Sequence, residues 1–319
     1  MLFGIMDIGE NVKKIIKTIF GTIIICGTLF GIYQIGKYSF SVKLEEENDI
    51  NEKINYKDMI ASGEVKNKDY SNSVMYPYFE LLSDNQKSLY NELLYAINKY
   101  EEDVIPSIKI TVSEVEDAFY AVLYDHPELF WLGNSYSCEH YENNDDVTKI
   151  LIKYSDIVND IDNAKKKLDT VVNTIVKNAN NYEFDYAKEK YVHDTLINLI
   201  SYSKDTENHQ SAYDALVNQK AVCAGYTKAF QLIMHKLGVP TYYVTGISTE
   251  DHAWNLIELE DGFYNIDLTF DDQIDRIIYK YYNIPDGLMN KDHTRTGLST
   301  FLVKGDGFKY TNIYTTLIE

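Results

Sequence analysis

Hydrophobic and polar positions divide this chain into three regimes: an unbroken apolar run, a polar stretch without a period, and a long alternation of helical and strand periods. The run "IIKTIFGTIIICGTLFGIYQI", 15–35, carries one charge, Lys17. It has the ~20 residues needed to cross ~30 Å of hydrocarbon, and Lys17 lies near enough to its end to snorkel toward headgroups. Lys13, Lys14 and Lys17 precede or open the run, and Lys37 and Lys43 follow it. That slight bias favours a cytoplasmic amino terminus, a single pass through the cell membrane and an extracellular bulk. A cleaved signal peptide is the alternative, but "GKYSFS" offers no good small-x-small cleavage site. The expected layout is a cytoplasmic tail at 1–14, a transmembrane anchor at 15–36 and a polar, mobile linker at 37–74.

From Tyr76 the period of a buried helix face sets in. "SDNQKSLYNELLYAINKYEE" begins with Ser83 and Asp84 as cap candidates and places Leu89, Leu93, Leu94 and Ile97 at helical spacing. "TVSEVEDAFYAVLYDHPELFWL" repeats the pattern, with Thr111 or Ser113 as cap, until Pro127 breaks it. "TKILIKY" reads as a strand that yields to the helix "NDIDNAKKKLDTVVNTIVKNA". These elements predict a mostly helical accessory region at 75–165. The next domain, 166–319, opens with the helix "DYAKEKYVHDTLINLISY" and a polar loop.

In "AYDALVNQKAVCAGYTKAFQLIMHKLGVP" the apolar positions Tyr226, Ala229, Phe230, Ile233, Met234 and Leu237 follow Cys223 at the spacing of a buried helix face. Gly238 ends that helix and Pro240 prevents its return. "TYYVTGI", "HAWNLIEL" and "GFYNIDLTF" then read as strands, the last two joined by a hairpin turn at "EDG".

The composition describes a globular chain: 319 residues, 45% apolar and 25% charged. Its net charge of −19 argues against nucleic acid as a partner. Three cysteines, Cys26, Cys138 and Cys223, exclude a disulfide framework, although Cys138 and Cys223 could pair in an extracellular domain. No CxxC, HExxH or clustered His/Cys pattern suggests a metal, and no cofactor is expected.

Cys223 opens a helix, where unpaired N–H groups and the positive end of the dipole favour a thiolate and can hold an oxyanion. Burial is the competing reading, because free cysteine packs well. His252 and Asp267 stand on the two paired strands. A turn at Asp261-Gly262 sets Asp267 opposite Leu256, too far from His252. One at Glu260-Asp261 sets it opposite Trp254, within diagonal reach, and a three-residue bulged turn reverses the parity. A His–Asp pair would take the thiol proton and return it to a leaving group. His126, His193, His209, His235 and His293 are read as structural.

The blocks "VCAGYTKAF", "DHAWNLIEL" and "GFYNIDLTFDD", in this order, resemble the bacterial transglutaminase-like domain, a relative of papain-type cysteine proteases. The resemblance runs from about Asp169 to His293, with "YVHDTLINLISY" ahead and "YKYYNIPDGLMNKDH" behind. It implies an α+β fold with the nucleophile helix packed on an antiparallel sheet. It further implies Cys223 as nucleophile, His252 as base and acid, and Asp267 as the orienting residue. Trp254, Asn255 and Tyr226 are candidates to line the substrate pocket. Two departures, Gln219 for a common glycine and Phe270 for a common tryptophan, bear on pocket shape and not on the triad. The implied activity is acyl transfer on a protein or peptide at the cell surface, ending in hydrolysis or in transfer to an amine. A catalytically silent binding or scaffolding module is the alternative.

Overall fold

Ser83 and Thr111 start two helices as their sequence context predicts. In the computed structural model, which describes residues 40–44, 73–141, 144–205 and 209–311, Ser83 and Gln86 exchange capping bonds at the head of helix α2. That helix, Asp84–Lys99, follows the short α1, Pro77–Leu81. Thr111 donates its backbone N–H to Glu114 at the head of α3, Val112–Asp125. These reciprocal bonds occupy backbone groups that a helix leaves unpaired at its start.

The region expected to be mostly helical holds a four-stranded sheet as well. Its strands are β1 (Phe40–Leu44), β2 (Asp103–Val104), β3 (Leu132–Tyr141) and β4 (Val147–Tyr154), in the order β1-β3-β4-β2. β3 hides from a period-2 reading because its register against β4 shifts twice, between Leu132 and Tyr136 and between Glu139 and His140. At the first shift β3 advances four residues while β4 advances two, and at the second β4 advances two while β3 advances one, so the ladder is uneven. β1 lies within the segment expected to be a linker and pairs parallel with β3. The expected anchor at 15–36 and Cys26 lie outside the described residues. Among the described residues no helix is long and apolar enough to cross a membrane.

Helix α4 (Ile161–Ala179) runs straight through positions 165 and 166, and α5 (Asp185–Leu199) follows. The short parallel pair β5 (Ser201–Tyr202) and β6 (Lys220–Ala221) brings the chain to α6, Cys223–Lys236. Every residue of α6 from Cys223 to Met234 is buried. Its first turn fits only because residue 225 is glycine: a Cβ there would meet the Ala221 Cβ at 2.6 Å and the His209 carbonyl oxygen at 2.8 Å.

α6 lies on a sheet of β7 (Thr241–Ile247), β8 (Asp251–Leu259) and β9 (Gly262–Ile266), extended by β12 (Thr294–Arg295) next to β7. All its pairings are antiparallel. After β9 come the one-turn helix α7 (Leu268–Asp271), the small hairpin of β10 (Asp272–Gln273) and β11 (Arg276–Ile277), and α8, Asp286–Met289. The expected α+β architecture, a helix on an antiparallel sheet, is present.

The accessory elements share one continuous core with this unit. Tyr124 stacks on Tyr243 with ring centres 5.1 Å apart, Tyr78 donates its hydroxyl to the Tyr243 carbonyl, and the Gln231 amide donates to the Tyr124 carbonyl at 2.9 Å. Burying such large rings supplies most of the driving force here, at roughly 25 cal/mol per Å² of apolar surface.

Candidate active site

The β8–β9 hairpin turns at Glu260-Asp261, since Leu259 pairs with Gly262 and Asn255 with Ile266. Of the three registers open to the sequence, this one carries Asp267 to diagonal reach of His252. The His252 Nε2 lies 2.6 Å from Asp267 Oδ2. Cys223 bears on the same imidazole and favours its proton. With Nε2 committed to Asp267, the nitrogen left for the thiol is Nδ1. Cys223 and the hydrogen-bonded pair His252 and Asp267 are thus brought together, all three buried.

Asp267 is also the N-cap of α7. Its Oδ1 accepts from the backbone N–H of Thr269 at 3.0 Å, that of Phe270 at 3.1 Å and the Thr269 hydroxyl at 2.6 Å. Two unpaired donors of a helix start thus fix the carboxylate whose other oxygen faces His252. A second imidazole reaches that other oxygen: His293 Nε2 lies 3.2 Å from Asp267 Oδ2, with His293 Nδ1 2.7 Å from Asp292 Oδ1. Spacing alone gives no sign of His293, which arrives after an irregular path of 26 residues. The path is held by the Asp267 N–H, which donates to the Tyr281 carbonyl at 3.0 Å.

Burial works against a charge on His252, but the Asp267 carboxylate, its hydrogen bond and Cys223 outweigh it and push the imidazole up to about 10. Burial opposes the charge on Asp267 too. His252, His293 and Thr269 together hold its carboxyl well below the usual range. The histidine's contribution to stability is complete below its unfolded value of about 6.5 and is lost as pH rises through about 10. The carboxylate's contribution is present above about 3.9 and is lost as pH falls through its lowered folded value. Thermal unfolding against pH should therefore show a melting temperature that declines from pH 7 toward 10. The decline should be shallower in His252→Gln, and parallel curves for the two proteins would contradict the assignment.

His252, Asp267 and His293 offer three ligand atoms within 4.8 Å of one another. The 2.6 Å between His252 Nε2 and Asp267 Oδ2 is a hydrogen-bond distance. Two ligands each 2.0–2.1 Å from a tetrahedral metal stand ~3.3 Å apart, so this arrangement is that of a proton network. Cys138 and Cys223 are both free thiols, so the disulfide left open by the sequence does not form.

A cleft of about 230 Å³ opens beside His252, walled by Tyr202, Ser248, Thr249, Glu250, Thr269 and Phe270. Tyr202, 49% exposed, has its hydroxyl pushed up to about 12 by burial and then by the charges of Cys223, Glu250 and Asp267. Phe270 packs on the His252 ring at 4.7 Å. The three residues proposed as pocket lining sit elsewhere. Asn255 points to the opposite face of β8 from His252, where its amide donates to the carbonyls of Thr227 and Tyr242 and ties α6 to the sheet. Tyr226 donates its hydroxyl to the Ile200 carbonyl and to Asp272. Trp254 packs behind His252, its indole N–H on Asn265 Oδ1 at 3.1 Å. A larger surface cleft of about 640 Å³ along α5, lined by Tyr182, Lys190, Tyr191 and Asp194 among others, has no cysteine in its lining.

The fold and site define a cysteine-centred α+β domain in which a helix-start thiol faces a His–Asp pair. Residues 169–268, about a third of the chain, match the family model described as Transglutaminase-like superfamily. Two solved structures are similar at low identity. One is the crystal structure of a TGase, at 14% identity and a TM-score of 0.31, covering 55% of this chain and 52% of that one. The other is a candidate cysteine protease from Cytophaga hutchinsonii, at 16% identity and a TM-score of 0.31, covering 47% of this chain and 55% of that one. The chain thus spans about half the length of either. The comparison with curated proteins gave no match.

Proposed function

We propose that the chain is a thiol-dependent acyltransferase or peptidase acting on a protein or peptide substrate. Cys223 Sγ attacks a carboxamide or peptide carbonyl carbon while His252 holds the thiol's proton. The tetrahedral adduct collapses as His252 gives that proton to the departing amine, leaving a thioester on Cys223. Water, or an amine, then attacks the thioester, loses its proton to His252 and frees the sulfur. Backbone N–H groups left unpaired at the start of α6 would stabilise the oxyanion. The observation that carries this reading is the His252–Asp267 hydrogen bond, with Cys223 bearing on the same imidazole and His252 lining an open cleft. An anchor at 15–36 would hold this domain outside the cell membrane, within reach of envelope proteins or wall peptides.

One observation favours the second reading, a catalytically silent module: Cys223 is fully buried. Packed thiols of that kind are inert. Alkylation by iodoacetamide at pH 7, with Cys26 and Cys138 replaced by Ser, separates the two. An active site should alkylate at a rate that falls at least tenfold in His252→Ala. A slow rate indifferent to His252 would establish the silent module. Amine-incorporation and peptide-cleavage assays then decide which acceptor resolves the thioester.

A further inference from the structure

Histidine 293 lies beyond the stretch that matches the family, at 169–268, yet its side chain is wholly buried against the candidate triad. Its ring centre is 5.5 Å from that of His252, and it packs on Trp254, Phe270 and Tyr281 at 5.1, 5.0 and 5.3 Å. Both of its nitrogens face carboxylate oxygens, Asp292 Oδ1 at 2.7 Å and Asp267 Oδ2 at 3.2 Å. An ionised carboxylate only accepts hydrogen bonds. Both contacts are therefore hydrogen bonds only when each ring nitrogen bears a proton. Asp292 is fitted to support this: the Tyr281 hydroxyl donates to its Oδ2 at 2.7 Å and Lys280 Nζ stands 3.8 Å away.

We infer that His293 is a positioning residue for the His252–Asp267 pair: clamped by Asp292, it donates to the same Asp267 oxygen as His252, fixes that carboxylate and offsets part of its charge. The inference rests on the proposed role of Cys223, His252 and Asp267. An unshared carboxylate 2.6 Å from His252 would hold the imidazole's proton harder, and a proton bound too firmly is a poor one to pass to a leaving group. The other groups bearing on the network are Cys223 from α6, Tyr202 from β5, Glu250 at the cleft lip and Asp271, one turn along α7 from Asp267 with His193 behind it. None of these substitutes for His293, because none donates to Asp267 Oδ2 among the described residues.

The test is the titration of the His252 ring by NMR on the full chain with carbon-labelled histidine, its signal assigned by loss in His252→Gln. At the pH where wild-type His252 is half deprotonated, His293→Gln should leave it at most one tenth deprotonated, and Asp292→Asn should move it the same way. A role in packing alone would lower the melting temperature and leave the ring titration in place; that result, in a folded variant, overturns the inference. Should His293→Gln not fold, Asp292→Asn, at a residue 42% exposed, decides it alone. The readout needs no turnover. If the His252 ring titrates as expected while Cys223→Ala changes no activity, the functional proposal fails and the inference stands.

Discussion

Replacement of Cys223 by Ala should abolish acyl transfer, by at least ~10³-fold in kcat, while leaving the fold intact. In the proposed reaction the sulfur forms the covalent bond to substrate, and it bears on the imidazole that lines the cleft. Ser248 and Thr249 line the cleft wall, but His252 Nε2 is committed to Asp267 and neither hydroxyl is hydrogen-bonded to the imidazole among the described residues. Ala fits where Cys223 packs, since Ala224 beside it is buried without difficulty. The loss of one buried sulfur costs about 1 kcal/mol in stability, small against the catalytic effect. Cys223→Ser asks a finer question, because an alcohol binds its proton far more tightly than a thiol and should be nearly as inactive in the same pocket. Full activity in Cys223→Ala, measured as peptide cleavage and amine incorporation, would leave the domain as a binding module.

The same residues show what a sequence can and cannot disclose about such a site. Cys223 at a helix start was legible because apolar positions from Tyr226 to Leu237 keep a helical period and Gly238 ends it; in the structure α6 spans Cys223–Lys236 and residue 238 has φ +81°. The His252–Asp267 contact was legible only as one of three registers, because "EDG" permits a turn at more than one dipeptide. What selects Glu260-Asp261 is tertiary: the Asp261 carboxylate accepts from the Tyr264 hydroxyl at 2.6 Å and from the backbone N–H groups of Phe308 and Lys309. His293 was legible only as the last position of the resemblance, with no role attached and a structural reading preferred. Its contact depends on an irregular segment whose backbone is fixed by Asp271 and Asp267, which hold the N–H and carbonyl of Tyr281. Asn255 and Tyr226 were misplaced for a related reason. Adjacency to a catalytic residue along a strand or helix says nothing of which face a side chain takes, and β8 is covered on both.

Changing Asp267 to Asn should cost roughly 10³–10⁴ in kcat with little change in shape. Five donors converge on this carboxylate: His252 and His293 on Oδ2, and the Thr269 N–H, Thr269 hydroxyl and Phe270 N–H on Oδ1. Asparagine can keep its oxygen toward the three donors of α7, which leaves its NH₂ group facing both imidazoles. His252 Nε2 must then accept instead of donate, and the neutral ring carries its proton on Nδ1, toward Cys223. In that tautomer the ring cannot take the thiol's proton, and no carboxylate remains to steady an imidazolium. His293 loses its acceptor too, so the variant should unfold at lower free energy, by about 2–4 kcal/mol. Its decline in melting temperature between pH 7 and 10 should flatten, because the group that raises His252 is gone. Asp267→Glu makes the companion case: charge survives but the carboxylate is displaced by a methylene, so the alkaline decline should persist while turnover falls. An Asp267→Asn protein with activity within tenfold of wild type would mean that His252 is oriented by something other than this carboxylate, and the triad would have to be abandoned.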